Sequence, residues 1–244
     1  MHRHFGGRFI PVNDVGSTQE DLKIIASEAS PVCAQGDPSP YTALGVLESI
    51  RACVEHLDGT ADLAGRTVLV QGAGNVGAQL SGLLAAESAH VLIADIKSAR
   101  AERVADQLGA TVVPAPEAHR TRCDVLAPCA LGAVVTERSL PELACRIIAG
   151  GANNVLDNPD RAADLAAQGI VYAPDFLANA GGLIYLEEQL RGHNASHAER
   201  RVRGIADALI RVLKRSRTDN VTTVQAATAI AEDRLSGSST NPTH

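Results

Sequence analysis

The chain has 244 residues, 45% hydrophobic and 20% charged, an ordinary globular composition with room for one full α/β domain and a modest addition. Its formal net charge of −6, with no long basic run, argues against nucleic acid, and Arg200-Arg201-Val202-Arg203 reads as a solvated helix face. No apolar segment approaches a membrane span and Met1-His2-Arg3-His4 leads into no signal-peptide core, so a cytoplasmic protein with neither nucleic-acid nor membrane partners is expected.

Residues 1–38 are turn-rich, with one helical stretch from Thr18 to about Ser27. A longer helix is predicted from Pro40 to His56, with Ser39 as N-cap and Pro40 as the first helical residue. After a link at 59–65, strands and helices alternate. Strands are predicted at Thr67–Gln71, His90–Asp95, Thr111–Val113, Val125–Ala127, Ile147–Ala149 and Val171–Ala173, and helices at Val76–Glu87, Ser98–Leu108 and Ala162–Gln168. Beyond Pro174 the pattern is helical, with breaks near Gly192 and Asp219-Asn220, and 236–244 is rich in Ser, Thr, Asn and Pro, as in a disordered tail. No internal repeat is present.

This alternation predicts an α/β fold, a Rossmann-type doubly wound, mostly parallel sheet with flanking N- and C-terminal helices. The division expected is an N-terminal helical segment at 1–58, a dinucleotide-binding domain at 59–175, C-terminal helices at 176–235 and the tail. Segments 1–58 and 176–244 are expected to pack together beside the sheet.

The most informative stretch is the turn after the first long strand, Gly72-Ala73-Gly74-Asn75-Val76-Gly77, a G-x-G-x-x-G. Gly72 permits the tight turn, Gly74 leaves room for a pyrophosphate against backbone N–H groups, and Gly77 allows close helix–strand packing. The helix beginning at Asn75-Val76 offers its positive end to phosphates. Asp95 closes the next strand, where a carboxylate can accept from both ribose hydroxyls and repel a 2′-phosphate. NAD is therefore preferred to NADP, a preference that Lys97 could soften.

The five cysteines (Cys33, Cys53, Cys123, Cys129, Cys145) are odd in number and form no C-x-x-C pair, so buried free thiols are expected and no metal site. Small and polar residues follow the predicted strands in Gly36-Asp37-Pro38-Ser39-Pro40-Tyr41-Thr42-Ala43, Ala149-Gly150-Gly151-Ala152-Asn153-Asn154 and Ala173-Pro174-Asp175-Phe176-Leu177-Ala178-Asn179-Ala180-Gly181-Gly182. Each alone is ordinary turn chemistry.

In this order, GDPSPYTALGV, VLVQGAGNVG, CDVLAPCALGAVV, IIAGGANNVL and IVYAPDFLANAGG resemble the leucine/phenylalanine/valine (and glutamate) dehydrogenase family over about Asp14 to Arg234, with phenylalanine and leucine dehydrogenases looking most similar. The resemblance implies NAD-linked oxidative deamination of an amino acid, or reductive amination of a 2-oxo acid. It implies that Thr42 and Asn153 hold the nicotinamide or the substrate carboxylate, with Asn179 beside them. Cys129 and Ala130 are carried over as cofactor-binding positions, and Ala152, Gly181, Leu183 and Ile184 as the apolar side of the pocket. Asp14 matches the family's active-site aspartate, which exchanges protons with the substrate amine; its other reading is a turn former or helix-leading acid.

Family members ordinarily carry a substrate domain ahead of the position of Asp14, with a lysine ending a glycine-rich motif and a second that polarises the 2-oxo group. This chain has only Lys23, Lys97 and Lys214, none in a glycine-rich setting and all expected to face solvent. Adding ammonia to a ketone and expelling water demands acid–base catalysis, whereas hydride transfer to an existing imine demands mainly cofactor and orientation. The expectation is an oxidoreductase acting on a preformed C=N or CH–NH substrate, with Asp14 relaying a proton and Tyr41 and Tyr185 as spare hydroxyls. Three other readings stay open: an amino acid dehydrogenase completed by a separate lysine-bearing subunit, a non-catalytic NAD-binding regulator, and a sequence that begins at an internal Met. A homodimer, or that partner, is expected to cover the cleft.

Overall fold

The computed structural model describes residues 10–12, 18–28, 32 and 36–238. Helix α1 (Gln19–Glu28) is opened by Thr18, whose Oγ1 accepts from Asp21 N–H while Asp21 Oδ2 accepts from Thr18 N–H. Helix α2 spans Ser39–Asp58. Its N-cap is Pro38, not Ser39: Ser39 is already helical, and its N–H is taken by the Asp37 carboxylate at 2.9 Å. An acceptor two residues upstream does here what the Ser39 hydroxyl was expected to do.

The chain then alternates β1 (Thr67–Gln71), α3 (Asn75–Ala86), β2 (His90–Ala94), α4 (Ser98–Leu108), β3 (Thr111–Val112), β4 (Val125–Pro128), β5 (Ile147–Ile148), α5 (Arg161–Ala167) and β6 (Val171–Tyr172). The six strands are all parallel, in the order β3-β2-β1-β4-β5-β6. Successive strands run outward from β1 in one direction and from β4 in the other. A crevice therefore opens at the C-terminal ends of β1 and β4, where such sheets take their ligands.

Alternation along the strands divides the core between the two faces of the sheet. Val68, Val70, Val125, Ala127 and Ile147 join the larger cluster, with Val46 and Ile50 of α2 and Leu80 and Leu84 of α3. Leu69, Leu126 and Ile148 point to the other cluster, with Leu165 and Tyr172. Aromatics are so few that branched aliphatic side chains fill both faces.

The C-terminal helices are α6 (Asp175–Ala178), α7 (Gly181–Leu190), α8 (Ala195–Arg203), α9 (Ile205–Asp219) and α10 (Thr223–Ser238). Gly192 (φ +74°) and Asn220 (φ +54°) end α7 and α9 in the left-handed region, at the two breaks expected. Helix α2 packs against α3, α9 and α7, so the N- and C-terminal helices meet over the larger face of the sheet. Helix α10 continues through 236–238, three residues into the expected tail, and 239–244 lie outside the described residues. No described helix is long and apolar enough to cross a membrane.

Candidate active site

The glycine turn sits at the crevice, and each glycine answers a different constraint. Gly72 has φ +108°, and a Cβ there would stand 2.9 Å from Ala130 N. A Cβ at Gly77 would stand 1.8 Å from Gly72 O and 3.3 Å from the Cβ of Cys129, so α3 lies directly on the turn. At Gly74, the N-cap of α3, a Cβ would meet nothing within 4 Å. That open space faces the first N–H groups of a helix, which lack intrahelical acceptors. A polar cleft of about 350 Å³ lies there, lined by Asp37, Gly74, Asn75, Gln79, Arg100 and Arg103.

Asp95 is half-buried at the end of β2, its Oδ2 accepting from Ala73 N–H at 2.8 Å and its Oδ1 from Lys97 N–H at 2.8 Å. The carboxylate thus braces the glycine turn, and each oxygen keeps a further lone pair for a hydroxyl donor. Gln71 Oε1, at the end of β1, is buried without a hydrogen-bond partner.

The facing wall comes from α2, the β5 exit and the segment after β6. Asn179 Nδ2 donates to Asn153 Oδ1 at 2.6 Å, pairing two side chains that lie 26 residues apart. A Cβ at Gly182 would lie 2.5 Å from Thr42 Oγ1, and one at Gly151 would lie 2.8 Å from Val76 Cγ1 and 3.6 Å from Thr42 Cγ2. Thr42, Val76, Gly151 and Gly182 therefore meet at one point. Asp175 fixes the wall, its Oδ2 accepting from Val155 N–H at 3.0 Å and its Oδ1 from Phe176 N–H at 2.7 Å. Gly132 and Gly150 close the floor, where added Cβ atoms would meet Asn153 O at 2.4 Å and Pro128 O at 2.1 Å.

Other expected residues take quieter places. Cys129 is half-buried beside the turn and Ala130 is exposed next to it. Ala152 is 3% exposed and packs with the second core cluster. Ile184 is half-buried, whereas Leu183 is exposed on α7. Tyr41 and Tyr185 stack with ring centroids 4.0 Å apart, and burial, then Tyr185, pushes the Tyr41 phenol up, so it stays protonated at neutral pH. Lys23, Lys97 and Lys214 are all exposed. Asp14 lies outside the described residues, as does Cys33.

Arg100, Arg103 and Asp175 were not singled out from the sequence. The two arginines recur at helical spacing on a charged segment and so read as a solvated face; only the course of α4 past the turn brings them to the cleft. Asp175 leads a helix, and its long-range acceptor role has no local signature.

The family model for Glutamate/Leucine/Phenylalanine/Valine dehydrogenase matches residues 90–239. The chain belongs to that family. It is 40% identical over 237 residues to the leucine dehydrogenase of Bacillus cereus, covering 94% of this chain and 64% of that protein. It is 38% identical over 249 residues to the leucine dehydrogenase of Bacillus subtilis, covering 96% of this chain and 68% of that one. The crystal structure of L-tryptophan dehydrogenase from Nostoc punctiforme superposes with a TM-score of 0.87 at 36% identity, over 98% of this chain and 71% of that one. The chain thus spans about two thirds of the length of these relatives.

Proposed function

We propose that this chain binds NAD(H) along the crevice and carries the hydride-transfer half of an amino acid dehydrogenase reaction, acting on a C=N or CH–NH carbon. The observation that carries this reading is the Asn153–Asn179 pair, taken with the close approach of Gly151 and Gly182 to Thr42 and the open space at Gly74. A carboxamide pair offers both a donor and an acceptor, which suits a nicotinamide amide or a substrate carboxylate. Gly72, Gly74, Asn75, Val76 and Gly77 would hold the pyrophosphate, Asp95 the ribose, and Cys129 and Ala130 the dinucleotide's inner side. When bound, NAD(H) supplies or accepts the hydride. Thr42, Asn153 and Asn179 orient the carbon that exchanges it, and Asp14, on the resemblance alone, exchanges the amine proton. The Asp95 carboxylate, facing a would-be 2′-phosphate, favours NAD over NADP.

The exposure of all three lysines supports the narrower reading that these residues reduce a preformed imine without assembling it from ketone and ammonia. A second reading is that a lysine-bearing segment outside these residues, which span about 64% of the B. cereus protein's length, completes the amination site. Leu131 and Leu183, 76% and 71% exposed, follow Ala130 and Gly182 and offer an apolar rim for such a partner or a second copy. NADH oxidation should be followed with 2-oxo acids plus ammonia, and separately with preformed cyclic imines of similar size. Turnover confined to imines supports the narrower reading. Turnover with 2-oxo acids refutes it, and silence on both with NADH bound favours a completing partner.

A further inference from the structure

Away from the crevice, at the junction of α7 and α8, three metal-ligating groups converge. Glu188 is 1% exposed near the end of α7, and its Oε2 meets Nδ1 of both His193 and His197. One ligand atom from each residue lies within 4.8 Å of the other two. Arg201 holds the other oxygen, Oε1, and so fixes the carboxylate with Oε2 turned to the imidazoles. The backbone fixes the histidines as well. His193 N–H donates to Glu188 O at 2.9 Å, Gly192 turns with φ +74°, and Asn194 caps α8 by accepting from His197 N–H at 3.0 Å. The imidazole centroids are 4.5 Å apart, and the two side chains are 43% and 41% exposed, leaving an open approach from solvent.

We propose that Glu188, His193 and His197 form a divalent transition-metal site, of the class that takes Zn²⁺, bridging the end of α7 and the start of α8. Two imidazoles and one carboxylate are a borderline-soft donor set suited to Zn²⁺, Co²⁺ or Ni²⁺, whereas Mg²⁺ and Ca²⁺ require oxygen ligands. The Arg201 guanidinium weakens a purely electrostatic pull on a cation, so the two nitrogen ligands must supply most of the affinity. Arg201 also serves as the outer hydrogen-bond partner that orients a ligating carboxylate. On binding, each imidazole carries its proton on Nε2 and gives Nδ1 to the metal, while a water completes four-coordination from the exposed side. Glu188 lies six residues beyond Gly182 on the same helix, roughly 9 Å along its axis at about 1.5 Å per residue. The metal would therefore clamp the helix that carries the substrate-side wall without entering the crevice. No metal site was expected from the sequence, because its signal is spread across a helix end, a turn and a helix start.

The test is calorimetric titration of the full chain, metal-stripped and free of any affinity tag, with ZnCl₂ and in parallel MgCl₂. CoCl₂ absorption serves as the second readout. One Zn²⁺ per chain is expected, with a four-coordinate Co²⁺ spectrum and no comparable Mg²⁺ binding. His193→Ala and His197→Ala should each weaken Zn²⁺ binding by at least the roughly 10- to 100-fold that loss of an outer partner produces. Both imidazoles are partly exposed, and circular dichroism would verify that these variants stay folded. A His2→Ala/His4→Ala variant should bind as the parent does, separating this site from the N-terminal histidines. Zn²⁺ binding no tighter than Mg²⁺, or unchanged in both α7–α8 histidine variants, would overturn the proposal.

Discussion

At Gly77 an added Cβ would stand 1.8 Å from the Gly72 carbonyl oxygen, whereas at Gly74 it would meet nothing within 4 Å. Two glycines of one motif should therefore respond differently to alanine. Gly77→Ala must push α3 off the turn, which costs on the order of 1–3 kcal/mol as an overpacked contact and lowers the melting temperature. Gly74 has φ −76°, open to any residue, so Gly74→Ala should melt within about 0.5 kcal/mol of the parent while losing NADH affinity in a fluorescence titration. Early melting of Gly74→Ala would show that its space is structural. The thiols allow a second residue-level prediction. Burial pushes Cys53, Cys123 and Cys145 up to about 12 and Cys129 up to about 11, so all four are protonated at neutral pH. In a Cys33→Ser background, an aromatic disulfide reagent should modify them slowly in the native protein and rapidly in denaturant. Fast native reaction at Cys53 or Cys123 would contradict their burial.

Among the elements, those that meet the crevice matter most, and Asp175 links two of them. Its carboxylate accepts from Val155 N–H, after the Asn153 turn, and from Phe176 N–H in α6. Asp175→Ala leaves these donors without their acceptor, a loss of about 1–3 kcal/mol, and loosens the Asn153 side of the wall. On the proposed function, turnover should fall at least tenfold with NADH affinity nearly unchanged; an equal loss of NADH binding would place Asp175 in cofactor binding instead. Arg100→Ala and Arg103→Ala, across the cleft, should show the reverse pattern, weaker NADH binding with a shallower dependence on salt. These elements also show what was legible in advance. β1, α3 and α4 follow from long apolar periodicities bounded by turn residues, and the roles of Gly72 and Gly77 follow from the motif. The pairing of Asn153 with Asn179 was approached only through the resemblance, because nothing in local spacing brings positions 153 and 179 together. The Pro38 cap, the Asp175 bridge and the Glu188 cluster depend on tertiary placement, and a period of two or 3.6 residues carries no trace of them.

For the whole molecule, one core joins the larger face of the sheet to helices from both ends of the chain, and ion pairs tie its margins. Asp58, at the end of α2, meets Arg146 before β5 at 2.7 Å and also Arg66 before β1. The Arg146 hydrogen bond lowers the Asp58 carboxyl below its ordinary 3.8, burial opposes this, and Arg66 adds to the lowering. His119, then Arg120, holds Glu142 below 4.5, and Arg201, then Arg191, does the same for Glu187, again against burial. In each case the folded pKa lies beneath the unfolded one, so the folded chain binds these protons less readily. Their stabilisation is therefore complete above the unfolded values of 3.8 and 4.5 and is lost as pH falls through the lower folded values. These groups give a flat stability profile from neutral pH down to about 4.5 and a decline below it. Urea midpoints measured across that range should show the decline, shallower in high salt because the pairs are largely exposed and screened. Asp58→Asn should remove its own share, lowering stability at neutral pH while flattening the acid limb. A variant that fell in stability yet kept the full acid slope would mean that Asp58 acts through packing, not through its charge.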